Sequence, residues 1–163
     1  MSSKTNITQS WIEYLSSYQY SLKNEDCLQS IYIKKQDKNA TKIKITINEE
    51  ECWYVVCSYF NISKMHNCTN TLKWDDVLSS LNEKCPIGFF MITEKDETPN
   101  KMLFTYKTHQ RFVRNDDHVN IKRTIQLIFS EHQNYFDGLV EILKTYQPQM
   151  STVFLAEHLQ GLL

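Results

Sequence analysis

The chain has 163 residues, 41% of them apolar and 23% charged, with 18 Lys and Arg against 19 Asp and Glu and a formal net charge of −1. That balance excludes an unfolded polyelectrolyte, and the length suits one globular domain, residues 1–163, able to bury about two-thirds of its unfolded surface. The only glycines are Gly88, Gly138 and Gly161, so neither a P-loop nor the dinucleotide fingerprint can be built, and no cofactor is expected.

The opening stretch, MSSKTNITQSWIEYL, lacks the continuous apolar core of a signal peptide. No window approaches the roughly 18 to 20 apolar residues of a membrane span. Cys27, Cys52, Cys57, Cys68 and Cys85 form an odd set without repeating spacing, which reads as free thiols in a reducing compartment. The expected location is cytoplasmic, with no membrane partner. The triplets beginning at Asn6, Asn39, Asn61 and Asn67 are then by-products of an Asn- and Thr-rich composition rather than glycosylation sites.

Residues 8–22 place Trp11, Tyr14, Leu15, Tyr18 and Leu22 at helical spacing, with Thr8 or Ser10 as the cap. Residues 27–35 read as a strand, followed by a polar turn over 36–40. In 41–47 the isoleucines Ile43, Ile45 and Ile47 alternate with Lys42, Lys44 and Thr46, the period of a strand with one dry face. A short polar run leads into Cys52–Phe60, apolar or aromatic at nearly every position. That pattern predicts a central strand buried on both faces. A second helix is expected from Thr71 to Cys85, carrying Trp74, Val77, Leu78 and Leu81 and ended by Pro86. Two strands, 87–94 and 101–107, are joined by the turn sequence KDETPN. The longest helix, 118–146, presents Ile121, Ile125, Ile128, His132, Tyr135, Leu139 and Ile142 on one stripe. Pro148 separates a last helix, 151–162. The order predicts an α+β fold, an antiparallel sheet of about five strands with helices covering one face.

No metal site is expected, because no cysteine pair has Cys-x-x-Cys spacing and an odd separation puts Cys52 and Cys57 on opposite sides of a strand. Cys85 is the best-placed thiol, yet a helix C-terminus raises a thiol pKa. The five histidines lie in no nucleophile signature, and His132 and His158 fall on apolar stripes where a packed, hydrogen-bonded histidine is expected. Lys101, Lys107, His109, Arg111, Arg114, Lys122 and Arg123 form a basic cluster interleaved with Phe104, Tyr106 and Phe112. Those aromatics fit a core-facing alternation, so nucleic acid is not the expected partner.

The segment NEDCLQSIY with KIKITI and WYVVCSYF resembles the opening of RWD domains, the non-catalytic relatives of ubiquitin-conjugating enzymes, and that resemblance implies a helix over 24–32. Residues 92–110 are similar in layout to the strand pair of the autophagy E2-like enzymes. Those carry His-Pro-Cys where this chain has Lys107, Thr108 and His109, so their thioester chemistry is not implied. The element order is also similar to that of type III secretion chaperones, which dimerise and bind an extended effector segment.

Together these readings lead to an expectation of a non-catalytic scaffold or adaptor that binds a protein partner or a second copy of itself. The alternatives are a secretion chaperone and a cysteine-dependent conjugating enzyme. Phe154, Leu155, Leu159 and Leu162 on the last helix are the expected partner-binding residues, with a lid over the domain as the competing role for that helix.

Overall fold

A computed structural model describes residues 6–34, 42–61, 78–79, 81–83, 85, 87–95, 102–113 and 118–145. The elements in chain order are α1 (Ile7–Tyr14), β1 (Tyr20–Glu25), β2 (Leu28–Lys34), β3 (Lys42–Asn48), β4 (Trp53–Asn61), β5 (Phe89–Lys95), β6 (Met102–Arg111) and α2 (His118–Thr145). The strands form one antiparallel sheet in the order β1-β2-β3-β4-β6-β5. The fold is therefore α+β as expected, with six strands among the described residues rather than about five.

Helices α1 and α2 lie on the same face of the sheet and close the core. Ile7, Trp11 and Leu15 from α1 meet Ile31, Ile33, Ile43, Ile45, Ile47, Tyr54 and Val56 from the sheet and Ile121, Ile125, Ile128 and Phe129 from α2. The alternating isoleucines of β3 thus take the buried face the period of two assigned them. Asn6, not Thr8 or Ser10, caps α1: its Oδ1 accepts from the Gln9 amide at 3.0 Å. Thr8 donates through its amide and hydroxyl to the Glu49 carboxylate at 2.7 and 3.0 Å. A carboxylate at this end suits the positive pole of the helix and ties α1 to the β3–β4 turn.

The N-terminal helix is shorter than its apolar spacing predicts. It ends at Tyr14, and Tyr18 and Leu22 lie beyond it, Leu22 on β1 and 52% exposed. β1 and β2 form a two-residue hairpin through Asp26 and Cys27, with Asp26 at φ 53°. Tight hairpins call for this left-handed region, which aspartate tolerates better than most residues. The helix over 24–32 implied by the RWD resemblance is not formed; those residues are strand, turn and strand.

β4 occupies the centre of the sheet, between β3 and β6, but it is not buried on both faces. Tyr54, Val56 and Ser58 are buried, whereas Trp53, Val55, Cys57 and Tyr59 are half-buried. No described element packs across this second face. Cys52 precedes β4, in the turn, at φ 57°.

Residues 78–79 and 81–82 are helical and Leu81 is buried; Glu83 is in a turn and Cys85 in no regular element, the rest of the second predicted helix lies outside the described residues, and so does the KDETPN turn after Lys95. Gly88 abuts β6 so closely that an added Cβ would sit 2.6 Å from the Lys107 carbonyl oxygen and 2.7 Å from the Tyr106 ring. Gly88→Ala is expected to cost about 1 to 3 kcal/mol through displacement of the β5 entry, read as a lower urea midpoint at unchanged slope.

Candidate functional site

The first constellation that resembles catalytic machinery is buried. His132 on α2 lies between Ser58 of β4, with Oγ 2.6 Å from its Nδ1, and Thr108 of β6, which hydrogen-bonds its Nε2. All three residues are essentially inaccessible, so no substrate reaches the serine hydroxyl. Burial pushes the His132 pKa down to about 3, which keeps the ring neutral. A neutral imidazole donates from one nitrogen and accepts at the other, and a hydroxyl can serve either role. The trio is thus a satisfied polar clamp joining α2 to two strands, in keeping with the packed histidine expected on this stripe.

A second cluster surrounds Cys85. Tyr106 donates to Glu131 Oε1 at 2.8 Å and packs edge-on to Tyr135, with ring centroids 5.0 Å apart. Burial, and then the Glu131 carboxylate, push the Cys85 thiol up to about 11. At neutral pH this sulfur is protonated and a poor nucleophile. The direction is the one expected from the sequence, and desolvation and a neighbouring anion supply it. Among the described residues no group of His, Cys, Asp and Glu side chains is arranged to hold a metal ion. Cys27, Cys52, Cys57 and Cys85 are free of disulfides. A cavity of about 40 Å³ between Ile7, Tyr54, Phe112 and Ile121 has room for little beyond water.

The two edges of the sheet differ sharply. On β5 the Asn82 side chain binds both backbone groups of Phe90: its Nδ2 donates to the carbonyl at 2.8 Å and its Oδ1 accepts from the amide at 2.7 Å. The register of β5 also shifts between Ile92 and Glu94. An occupied, bulged edge resists further pairing. β1 has neither device. Its register with β2 runs unbroken from Tyr20 to Glu25, it carries no proline, and its residues from Ser21 onward are exposed. Among the described residues no group hydrogen-bonds to its outer edge. A shallow hollow lined by Tyr18, Gln19, Tyr20 and Ser21 opens where the strand begins.

The basic cluster singled out in the sequence is divided by the fold. Lys107, His109 and Arg111 alternate onto the open face of β6, whereas Tyr106 is buried in the core and Phe112 stacks on Tyr54 at 6.4 Å. Lys122 and Arg123 are exposed on α2, away from the sheet; Lys101 and Arg114 lie outside the described residues. Other strands supply the aromatics of the open face. Tyr32 has the ammonium groups of Lys23 and Lys44 each 5.3 Å from its ring, and Trp53 lies against His109 at 5.9 Å. The sequence reading did not single out β1, and of this face it singled out only Lys107, His109 and Arg111. The expected partner-binding residues Phe154, Leu155, Leu159 and Leu162 lie outside the described residues, as do His66, Cys68 and His158.

Among the described residues no helix is long and apolar enough to cross a membrane. Comparison with protein-family models, curated proteins and solved structures returns no match.

Proposed function

We propose that this protein is a non-catalytic adaptor that binds an extended segment of a partner protein by strand addition at β1. The β1 edge, which is unpaired and unbulged among the described residues and guarded only by the charges of Lys23 and Glu25, carries this reading when set against the occupied, bulged β5 edge. An exposed edge offers a row of backbone donors and acceptors, and a strand added there gains main-chain hydrogen bonds and side-chain pockets at alternate positions. The hollow at Tyr18–Ser21 would seat one such side chain. The raised Cys85 pKa and the sealed Ser58–His132–Thr108 trio support a binding role over cysteine-dependent conjugation or hydrolysis. A second reading, the secretion chaperone, is favoured by the order of helix, strand meander, paired strands and long helix; it assigns the same edge to an effector segment.

Proline variants at adjacent positions test the edge. Backbone N–H groups along a strand alternate between the ladder and the outer side. Of Leu22→Pro and Lys23→Pro, one removes an outward N–H and the other a bond to β2. The first is expected to keep the wild-type melting temperature and lose proteins captured by the wild type from source-cell extract; the second is expected to melt lower. A bound protein should also slow amide exchange within Tyr20–Glu25. Capture that survives both substitutions, with exchange in β1 unchanged, would sink the proposal.

A further inference from the structure

The sheet face turned away from the two helices, on which Ser30 and Thr105 are buried and Lys23, His109 and Arg111 are exposed, has a charge that the whole chain does not. Register places Ser21, Tyr32, Lys44, Cys57, Lys107 and Phe89 in one row across all six strands, and Lys23, Ser30, Thr46, Val55 and His109 in the next. Arg111 follows His109 on β6, opposite Trp53. The described side chains of this face thus bring together Lys23, Lys44, Lys107, His109 and Arg111. The carboxylates nearest in register are at its rim: Glu25 at the end of β1, and Glu51 in the β3–β4 turn, where it accepts the Trp53 indole N–H at 2.7 Å. No described carboxylate forms an ion pair with the three lysines or with Arg111. A chain of net charge −1 therefore concentrates cations on one flat, half-buried surface.

We propose that this face is a docking surface for an acidic, extended polypeptide segment of a partner protein, held by Lys23, Lys44, Lys107 and Arg111. Charge complementarity selects an anion. Lys44 and Lys107 pair with Cys57 from either side, which puts their backbones about 10 Å apart across the sheet. Same-side residues of an extended segment recur about every 7 Å, and flexible lysine stems close the difference. Single-stranded nucleic acid is the other polyanion of this shape, but it gains affinity by stacking bases on open aromatic rings. Here the Tyr32 ring is flanked by the Lys23 and Lys44 ammoniums and Trp53 lies against His109 and is tied to Glu51, which leaves Phe89, at the β5 edge, as the exposed ring among the described side chains of this face. Paired carboxylates need the ammonium groups and not the rings.

The surface is separate from the β1 edge, and the two assignments fail independently, because a charged probe can lie on the face without pairing with β1. The test is binding of the full chain to a fluorescent poly-glutamate peptide, with a single-stranded oligothymidylate of equal charge alongside. The expected result is saturable poly-glutamate binding that weakens as salt rises and exceeds that of the oligonucleotide. Lys44→Glu with Lys107→Glu should lower affinity at least about tenfold; Lys44→Gln with Lys107→Gln gives a gentler pair if the charge reversal unfolds the sheet. No poly-glutamate binding, binding untouched in the folded variants, or oligonucleotide binding equal to or tighter than that of the peptide would each overturn the proposal.

Discussion

Replacing Trp11 with alanine is expected to lower the unfolding free energy by about 3 to 5 kcal/mol. The indole is completely buried and meets three rings edge-on: Tyr54 at 5.5 Å, Tyr14 at 6.4 Å and Phe129 at 6.4 Å. It therefore joins α1, β4 and α2 at one point, and α1 has only two turns to bring to the core. A helix that short is marginal without packing, so the truncation removes both an apolar volume and the reason for the helix to dock. The Trp11 Nε1 is buried without a hydrogen-bond partner, so Trp11→Phe avoids one desolvation cost while leaving a smaller void. Urea unfolding should rank wild type, Trp11→Phe and Trp11→Ala in falling order. An alanine variant within about 1 kcal/mol of wild type would show that α1 does not close the core.

The second large effect is acid sensitivity through His132. Its folded pKa is depressed to about 3 from an ordinary 6.5. Between those values the unfolded chain holds a proton that the folded chain refuses, so stability falls as pH falls through 6.5 and the loss levels off near 3. The histidine alone is expected to remove about 3 kcal/mol between pH 7 and pH 4. Carboxylates titrate over part of that range, so the contribution is read by difference. His132→Asn should be less stable at pH 7 yet lose less on acidification. Parallel pH profiles for the two proteins would exclude the histidine as the cause.

Legibility in the sequence followed periodicity. The alternation at Ile43, Ile45 and Ile47 and the stripe Ile121, Ile125, Ile128, His132 and Tyr135 each place one face against a core, and both faces are buried. β1 escaped because Tyr20–Glu25 is exposed on nearly every side chain and so leaves no alternation to read. The turn at Asp26–Cys27 escaped because it lacks the glycine that usually announces a tight hairpin. β4 looked sealed on both sides because Trp53, Val55 and Tyr59 are apolar enough for a core, yet no described element covers them. The candidate surfaces were illegible for a related reason. Lys23, Lys44, Lys107 and Arg111 come from three strands, and only the register gathers them. Ser58 and Thr108 likewise carry no local mark of the histidine they share.

The insertion of β6 between β4 and β5 leaves the described sheet with one joint between strands far apart in sequence. Strands β1 to β4 pair with their sequence neighbours, as do β5 and β6, so each set can assemble by short-range closure. The seam between β4 and β6 cannot form until the chain from Asn61 to Met102 has been looped back, which makes it the entropically dearest contact in the sheet. His132 binds one strand on each side of that seam. The buried imidazole therefore bolts together the two paired strands that lie farthest apart along the chain, and its proton affinity bears on that joint before any other in the sheet.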